Sequence, residues 1–286
     1  MPARAYNLAR PKQLTSAVVF ASPHSGNDYP DWFLRRSILN ARSIRSSEDA
    51  FVDRLFEPAT DFGAPFLKAG APRAFIDYNR SPDELDPALI AGIRAVGNNP
   101  RVASGLGVIP RVVSNARPIY RGKLRIDEVE NRLQNYWHPY HRTLQGLLDE
   151  SRMQFGRVVL LDCHSMPREA LESTKLKGGT RPDIVLGDRF GASAHPEIVD
   201  EIEAAFERAG FLVSRNTPFA GAYVTQHYGR PSRHQHAVQI EIDRSLYMNE
   251  AKIEPSADFE AFRNRLRDVI SDISAIGGRR QRIAAE

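Results

Sequence analysis

The chain has 286 residues, 42% hydrophobic and 26% charged, with a formal net charge of +4. That composition supplies a sizeable buried core, excludes a disordered or fibrous chain, and contains no apolar run near the ~18 residues a membrane span needs. A single cysteine, Cys163, excludes an intrachain disulfide framework; with first residues that lack the apolar core of a secretory signal, it predicts a cytoplasmic protein.

Strand and helix signals alternate along the chain. Ala17–Ser22 reads as a buried strand, followed by a helix opening at Pro30-Asp31, where proline suits the first turn. Ser46-Ser47-Glu48-Asp49 reads as the capped start of a helix from Ala50 to Glu57, before Pro58. Phe66–Lys68 and Ala74–Asp77 read as short strands, and Glu84–Asn115, rich in Gly and Pro, as loop. Val129, Leu133, Trp137, Tyr140, Leu144, Leu147 and Leu148 recur at helical spacing, predicting a long helix from Asp127 to Met153 kinked at Pro139. Strands are predicted at Val158–Cys163, Asp183–Leu186, Phe211–Ser214 and Val238–Ile242, with helices at His195–Ala209 and Phe259–Ile276. This order predicts an α/β fold over residues 1–286: one domain with a largely parallel sheet and helices on both faces. Arginine is spread along the chain, with one short cluster at Gly277–Arg282. The mild positive charge suits an anionic small molecule, and neither a nucleic-acid nor a membrane partner is expected.

Two of the apolar strands end in histidine. Val18-Val19-Phe20-Ala21-Ser22 leads to Pro23-His24-Ser25-Gly26, and Val158-Val159-Leu160-Leu161 leads to Asp162-Cys163-His164-Ser165. Open α/β sheets bind their ligands at these carboxyl ends. A third strand alternates Val238, Ile240 and Ile242 with Gln239, Glu241 and Asp243, which places a carboxylate on a polar strand face. Cys163 and His164 point to opposite faces, which rejects a Cys–His nucleophile, whereas Asp162 shares the face of His164 and can orient its ring. Two histidines and a carboxylate are the donor set of a catalytic metal, with Glu241 as a general base for water. Glu48 and Asp49 are both candidates for the acidic ligand. Asn79-Arg80 and His227-Tyr228-Gly229-Arg230 lie in polar loops, where two arginines can hold a dicarboxylate. His138, His141, His234 and His236 read as packing or capping groups.

These motifs together resemble the N-formylglutamate amidohydrolases over most of the chain. The resemblance is carried by Ser22-Pro23-His24-Ser25-Gly26, Ser47-Glu48-Asp49-Ala50-Phe51-Val52-Asp53, Asp77-Tyr78-Asn79-Arg80, Asp162-Cys163-His164-Ser165, Tyr223 to Pro231, and Gln239-Ile240-Glu241. It implies a zinc-carboxypeptidase-like fold with a mixed eight-stranded sheet between helices. It also implies one zinc ion on His24, Asp49 and His164, with Glu241 as the base. Arg80 is implied beside the reacting group, and Arg80, Arg230, His227 and Asn79 at the substrate. The carboxylate comes well after His24, whereas carboxypeptidases carry both ligands in one short motif. The implied reaction releases formate and L-glutamate from N-formyl-L-glutamate, as in histidine degradation. Two alternatives are a metal-dependent amidase for another N-acyl amino acid or peptide-like amide, and a non-catalytic binding protein.

Overall fold

A computed structural model describes residues 2–94, 99–172 and 179–277. A seven-stranded sheet organises them: β1 (Tyr6–Ala9), β2 (Val18–Ser22), β3 (Phe66–Ala69), then, after a two-residue ladder of β4 (Val112–Val113) with β5 (Arg117–Pro118), β6 (Val158–Met166), β7 (Ile184–Gly187), β8 (Val213–Arg215) and β9 (Gln235–Asp243). The spatial order is β1-β3-β2-β6-β9-β7-β8. β1–β3 and β7–β9 pair antiparallel and the other pairings are parallel, so the sheet is mixed and largely parallel, as expected. The described residues put seven strands in it, one fewer than the family likeness implies.

Strand alternation divides the core. Val18, Phe20, Val159, Leu161, Cys163, Val238, Ile240 and Ile242 face one side. The helices Pro196–Arg208 and Phe259–Ser274 supply apolar partners there, Val199, Ile202, Leu266 and Ile270 among them. Val19, Ala21, Leu160 and Ala237 face the other side, with Tyr140, Leu144 and Leu148 of the helix His138–Phe155. Parallel strands covered on both faces need such near-continuous apolar runs.

Three local expectations change and one strand is added. Ala74–Asp77 is a turn: the Pro72 carbonyl accepts from Phe75 N (2.9 Å) and Ile76 N (3.2 Å), so these apolar residues are buried by a turn rather than by pleating. The edge strand β1 is short and half-buried, with Tyr6, Leu8 and Ala9 packed against the core, and the sequence pattern does not announce it. The long helix is Ile126–Arg132 joined to His138–Phe155 through a π-helical turn at Leu133–Trp137. Pro139 lacks an N–H and its ring crowds the preceding turn, and the wider turn absorbs both. Finally, the segment 46–57 is a 3₁₀ turn, Ser43–Ser47, then a helix of one turn, Val52–Leu55, with no side-chain cap. Asp49 lies between them with its N–H donated to the His24 carbonyl (3.0 Å), so it serves the sheet edge rather than a helix dipole.

In Glu84–Asn115 the regular pieces among the described residues are Pro100–Ala103, β4 and the start of the 3₁₀ turn Ser114–Ala116; residues 95–98 of that segment, and 278–282 of the basic cluster, lie outside them. No helix among the described residues is long and apolar enough to cross a membrane.

Candidate active site

The β2 and β6 carboxyl ends lie side by side, which brings His24 and His164 together with ring centroids 4.7 Å apart. The turn after His24 is set by Gly26, where a Cβ would lie 2.1 Å from the Ala71 carbonyl oxygen; only glycine allows that approach. Asp49 completes the group. Its Oδ2 is 2.9 Å from His164 Nδ1 and 3.5 Å from His24 Nδ1. One atom from each of the three buried residues lies within 4.8 Å of the others, as three ligands of one ion require. His24 Nδ1 is buried with no hydrogen-bond partner among the described residues, the condition of a nitrogen that awaits a cation. Glu48 turns away and pairs with Arg45 (2.8 Å).

The outer side of each ring is held by a carboxylate. His24 Nε2 meets Asp77 Oδ1 at 2.7 Å, and His164 Nε2 meets Asp162 Oδ2 at 3.0 Å. This backing turns both Nδ1 atoms toward Asp49 and makes them better donors. Asp49 Oδ1 in turn accepts from Arg244 Nη2 (2.9 Å), which leaves Oδ2 for the histidine pair; Arg244 also donates to Ser165 Oγ (3.1 Å). Burial opposes the charge on Asp49, but the hydrogen bond with His164 and the proximity of His24 hold its carboxyl well below the usual range. Burial likewise opposes a charged His164, and Asp162 and Asp49 overcome it and raise its pKa. A positive charge is wanted between these groups, and protons or a metal ion can supply it.

Glu241 pairs in register with His164 across β6 and β9. Burial pushes its carboxyl up to about 7, with Asp49 adding to the shift and His164, Arg73 and Arg244 opposing it. Gln239 Nε2 donates to its Oε1 (2.8 Å) and fixes its orientation. These groups open onto a cleft of about 710 Å³, also lined by Arg73, Arg80 and Arg101. Arg80 is buried, its Nε has no partner among the described residues, and its carbonyl accepts from Trp137 Nε1 (3.0 Å).

Asn79 lies in the same cleft with its amide already committed: Nδ2 donates to Asp162 (3.2 Å) and Oδ1 accepts from Val224 N (2.8 Å). Arg230 and His227 do not line this cleft; they line a neighbouring compartment that shares Arg80 and Arg101 with it. There Arg230 Nη1 donates to the carbonyls of Gln226 and Gly229, and His227 stacks on Tyr223 at 5.0 Å. Both sit on or beside the short helix Tyr223–Tyr228, which the sequence pattern presents as loop. His141 is a packing group, held between Tyr228 Oη and the Tyr78 carbonyl at 2.9 Å each. The residues missed in the sequence are Asp77, Arg73 and Arg244. Arg73 Nε donates to Asp77 Oδ2 (3.1 Å). Asp77 stands in a motif that carries the family resemblance without a role of its own there, and the signals for Arg73 and Arg244 were proximity to that motif and to Glu241.

Paired imidazoles, a shared carboxylate and a buried glutamate facing an open, arginine-walled cleft are the equipment of a hydrolase that works on an anionic substrate. The family model for N-formylglutamate amidohydrolase matches residues 16–248, and the chain belongs to that family. N-formylglutamate deformylase of Pseudomonas putida is 32% identical over 238 residues, 82% of this chain and 83% of that protein. The enzyme of the same name from Pseudomonas aeruginosa PAO1 is 31% identical over 268 residues, 92% and 94%. The crystal structure of N-formylglutamate amidohydrolase from Ralstonia eutropha JMP134 superposes with a TM-score of 0.87 at 35% identity, covering 95% of this chain and 97% of that one. A gene product of Agrobacterium tumefaciens shares the fold at a TM-score of 0.64 and 19% identity, covering 96% and 97%.

Proposed function

We propose that the chain, acting as one catalytic unit, hydrolyses N-formyl-L-glutamate to formate and L-glutamate, with one zinc ion held by His24 Nδ1, Asp49 Oδ2 and His164 Nδ1. The observation that carries this reading is the convergence of those atoms within 4.8 Å, in a chain of this family. The donor set fits zinc: two nitrogens and one carboxylate oxygen, each backed by a further polar group, with the cleft side open. Bound there, zinc would polarise the formyl carbonyl and acidify a water.

Glu241 takes the proton of the attacking water and returns it to the departing amine nitrogen as the C–N bond breaks. Burial favours the protonated form of this carboxyl and a bound cation would favour the charged one, so the two states of the transfer are kept close in energy. Arg80, buried and without a carboxylate partner within 4 Å among the described residues, sits in the catalytic cleft to bind the substrate and offset charge on the formyl oxygen. Asn79 acts by holding Asp162 and the β6 end in place, while Arg230 and His227 stand off this centre, on the wall of the neighbouring compartment. The reading carries a cytoplasmic, histidine-degrading role with it, and the buried, unpaired Cys163 is compatible with a reducing compartment.

The test is metal content and formate release measured on the same zinc-replete protein with N-formyl-L-glutamate. One zinc per chain with steady formate production is expected. Zinc-loaded protein that releases no formate would refute the substrate, and active protein free of metal would refute the mechanism.

A further inference from the structure

The catalytic cleft does not end at Arg80. Beyond it the neighbouring compartment, also about 710 Å³, is walled by Arg80, Arg101, Arg189 and Arg230. None of these four guanidinium groups has a carboxylate within 4 Å among the described residues, although most arginines elsewhere in the fold are paired. The one acid in the wall, Glu84, is already engaged: its oxygens accept from Ser81 N (3.0 Å) and Asn99 Nδ2 (3.3 Å). Arg80 is 6% exposed with an unpartnered Nε, so its charge is largely desolvated with no carboxylate in direct contact among the described residues. Burial and the nearby Arg101 and Arg73 lower its pKa, with Asp77 and Glu84 opposing them. Like charges crowded in this way are relieved by a bound anion.

The partition between the two spaces is thin. Gly221 and Ala222 line both, and Gly221 adopts φ +113, a conformation that favours glycine. A Cβ there would meet Thr225 Oγ1 at 2.4 Å and the stem of Arg189 at 3.1 Å, so glycine lets Arg189 close against the wall. Clefts of about 300–1,000 Å³ enclose ligands much larger than a formylated single amino acid. The catalytic cleft alone accommodates N-formylglutamate, and the arginine compartment is room and charge beyond it.

We propose that the compartment is a second carboxylate subsite of the same active site, and that the enzyme accepts N-formylglutamyl substrates extended by a further acidic residue through one of their carboxyl groups. This rests on the deformylase reading. The carboxylate of the added residue lies among Arg189, Arg101 and Arg230, while the formyl group stays at the His24–Asp49–His164 centre and is hydrolysed there.

The test compares zinc-replete wild type and Arg189→Gln on N-formyl-L-glutamate and on N-formyl-L-glutamyl-L-glutamate joined through the α- or the γ-carboxyl group. At least one dipeptide is expected to release formate, and Arg189→Gln to raise its KM about tenfold while leaving the KM of N-formylglutamate within about twofold. The KM of that dipeptide should also rise more steeply with salt in the wild type than in the variant. Hydrolysis of N-formylglutamate with neither dipeptide accepted would overturn the subsite and leave the deformylase reading standing. Hydrolysis of a dipeptide but not of N-formylglutamate would support the subsite and overturn the smaller substrate. Inhibition by free glutarate that Arg189→Gln relieves, with both dipeptides inert, would assign the compartment to a separate dicarboxylate and overturn the extended substrate.

Discussion

Replacing Glu241 by Gln separates what this carboxylate does for catalysis from what it costs the fold. The substitution is nearly isosteric, and a Gln side-chain oxygen can still accept from Gln239 Nε2, now at 2.8 Å from Glu241 Oε1. Without a proton acceptor the attacking water loses its base, which is worth roughly 10²–10⁴ in rate, or about 3–5 kcal/mol of barrier. The stability effect has the opposite sign. In metal-free protein, burial raises the Glu241 pKa from 4.5 to about 7. The folded chain therefore holds this proton more tightly than the unfolded chain does, and stability falls as pH rises from about 4.5 to about 7. Above that window the whole cost is present, about 3 kcal/mol at about 1.4 kcal/mol per pH unit. Glutamine removes it. Urea melts of metal-free wild type and variant between about pH 5 and pH 8 should show the variant more stable by about 3 kcal/mol at the alkaline end, with the gap narrowing as pH falls. Zinc content should be unchanged and formate release nearly abolished. A variant no more stable than wild type at pH 8 would mean that burial does not raise this carboxyl, and turnover within tenfold of wild type would remove Glu241 as the base.

His164→Ala should lose zinc and activity together; full zinc occupancy by elemental analysis would rule His164 out as a ligand. Arg244→Lys removes the fork that joins Asp49 Oδ1 to Ser165 Oγ and should weaken zinc binding by about 10–100-fold in a chelator competition; unchanged affinity would show that Asp49 needs no such brace. Gly26→Ala sets a methyl group 2.1 Å from the Ala71 carbonyl oxygen and should cost roughly 1–3 kcal/mol by denaturant melting. An unaltered midpoint would mean that the loop carrying His24 has room to give.

The sequence discloses the site unevenly, for physical reasons. His24 and His164 were legible because buried strands are short apolar runs and the polar residue that ends one stands out, and Glu241 because it sits on the polar face of an alternating strand. Asp49 was not legible from pattern: it lies between a 3₁₀ turn and a one-turn helix, where an acid looks like a cap, and only the family motif separated it from Glu48. Asp77 was misread as strand because Phe75 and Ile76 are apolar, yet they are buried by the turn that starts at Pro72. Arg73 and Arg244 were invisible, since each meets its partner through the arrangement of the whole sheet edge. Arg244 and Asp49 are 195 positions apart in the chain.

What joins the legible pieces is the register of β6 on β9. Their in-register pairs set Asp162 beside Gln239 and His164 beside Glu241, and the intervening pair, Cys163 with Ile240, points into the core. Side chains alternate with a period of two, so a one-residue slip of β9 would carry Gln239 and Glu241 into the apolar layer and expose Val238, Ile240 and Ile242 at the cleft. The burial that stabilises the sheet therefore also enforces the placement of Glu241 beside His164. Core and site are two faces of one alternation, and a sequence that satisfies the first has little freedom to misplace the second.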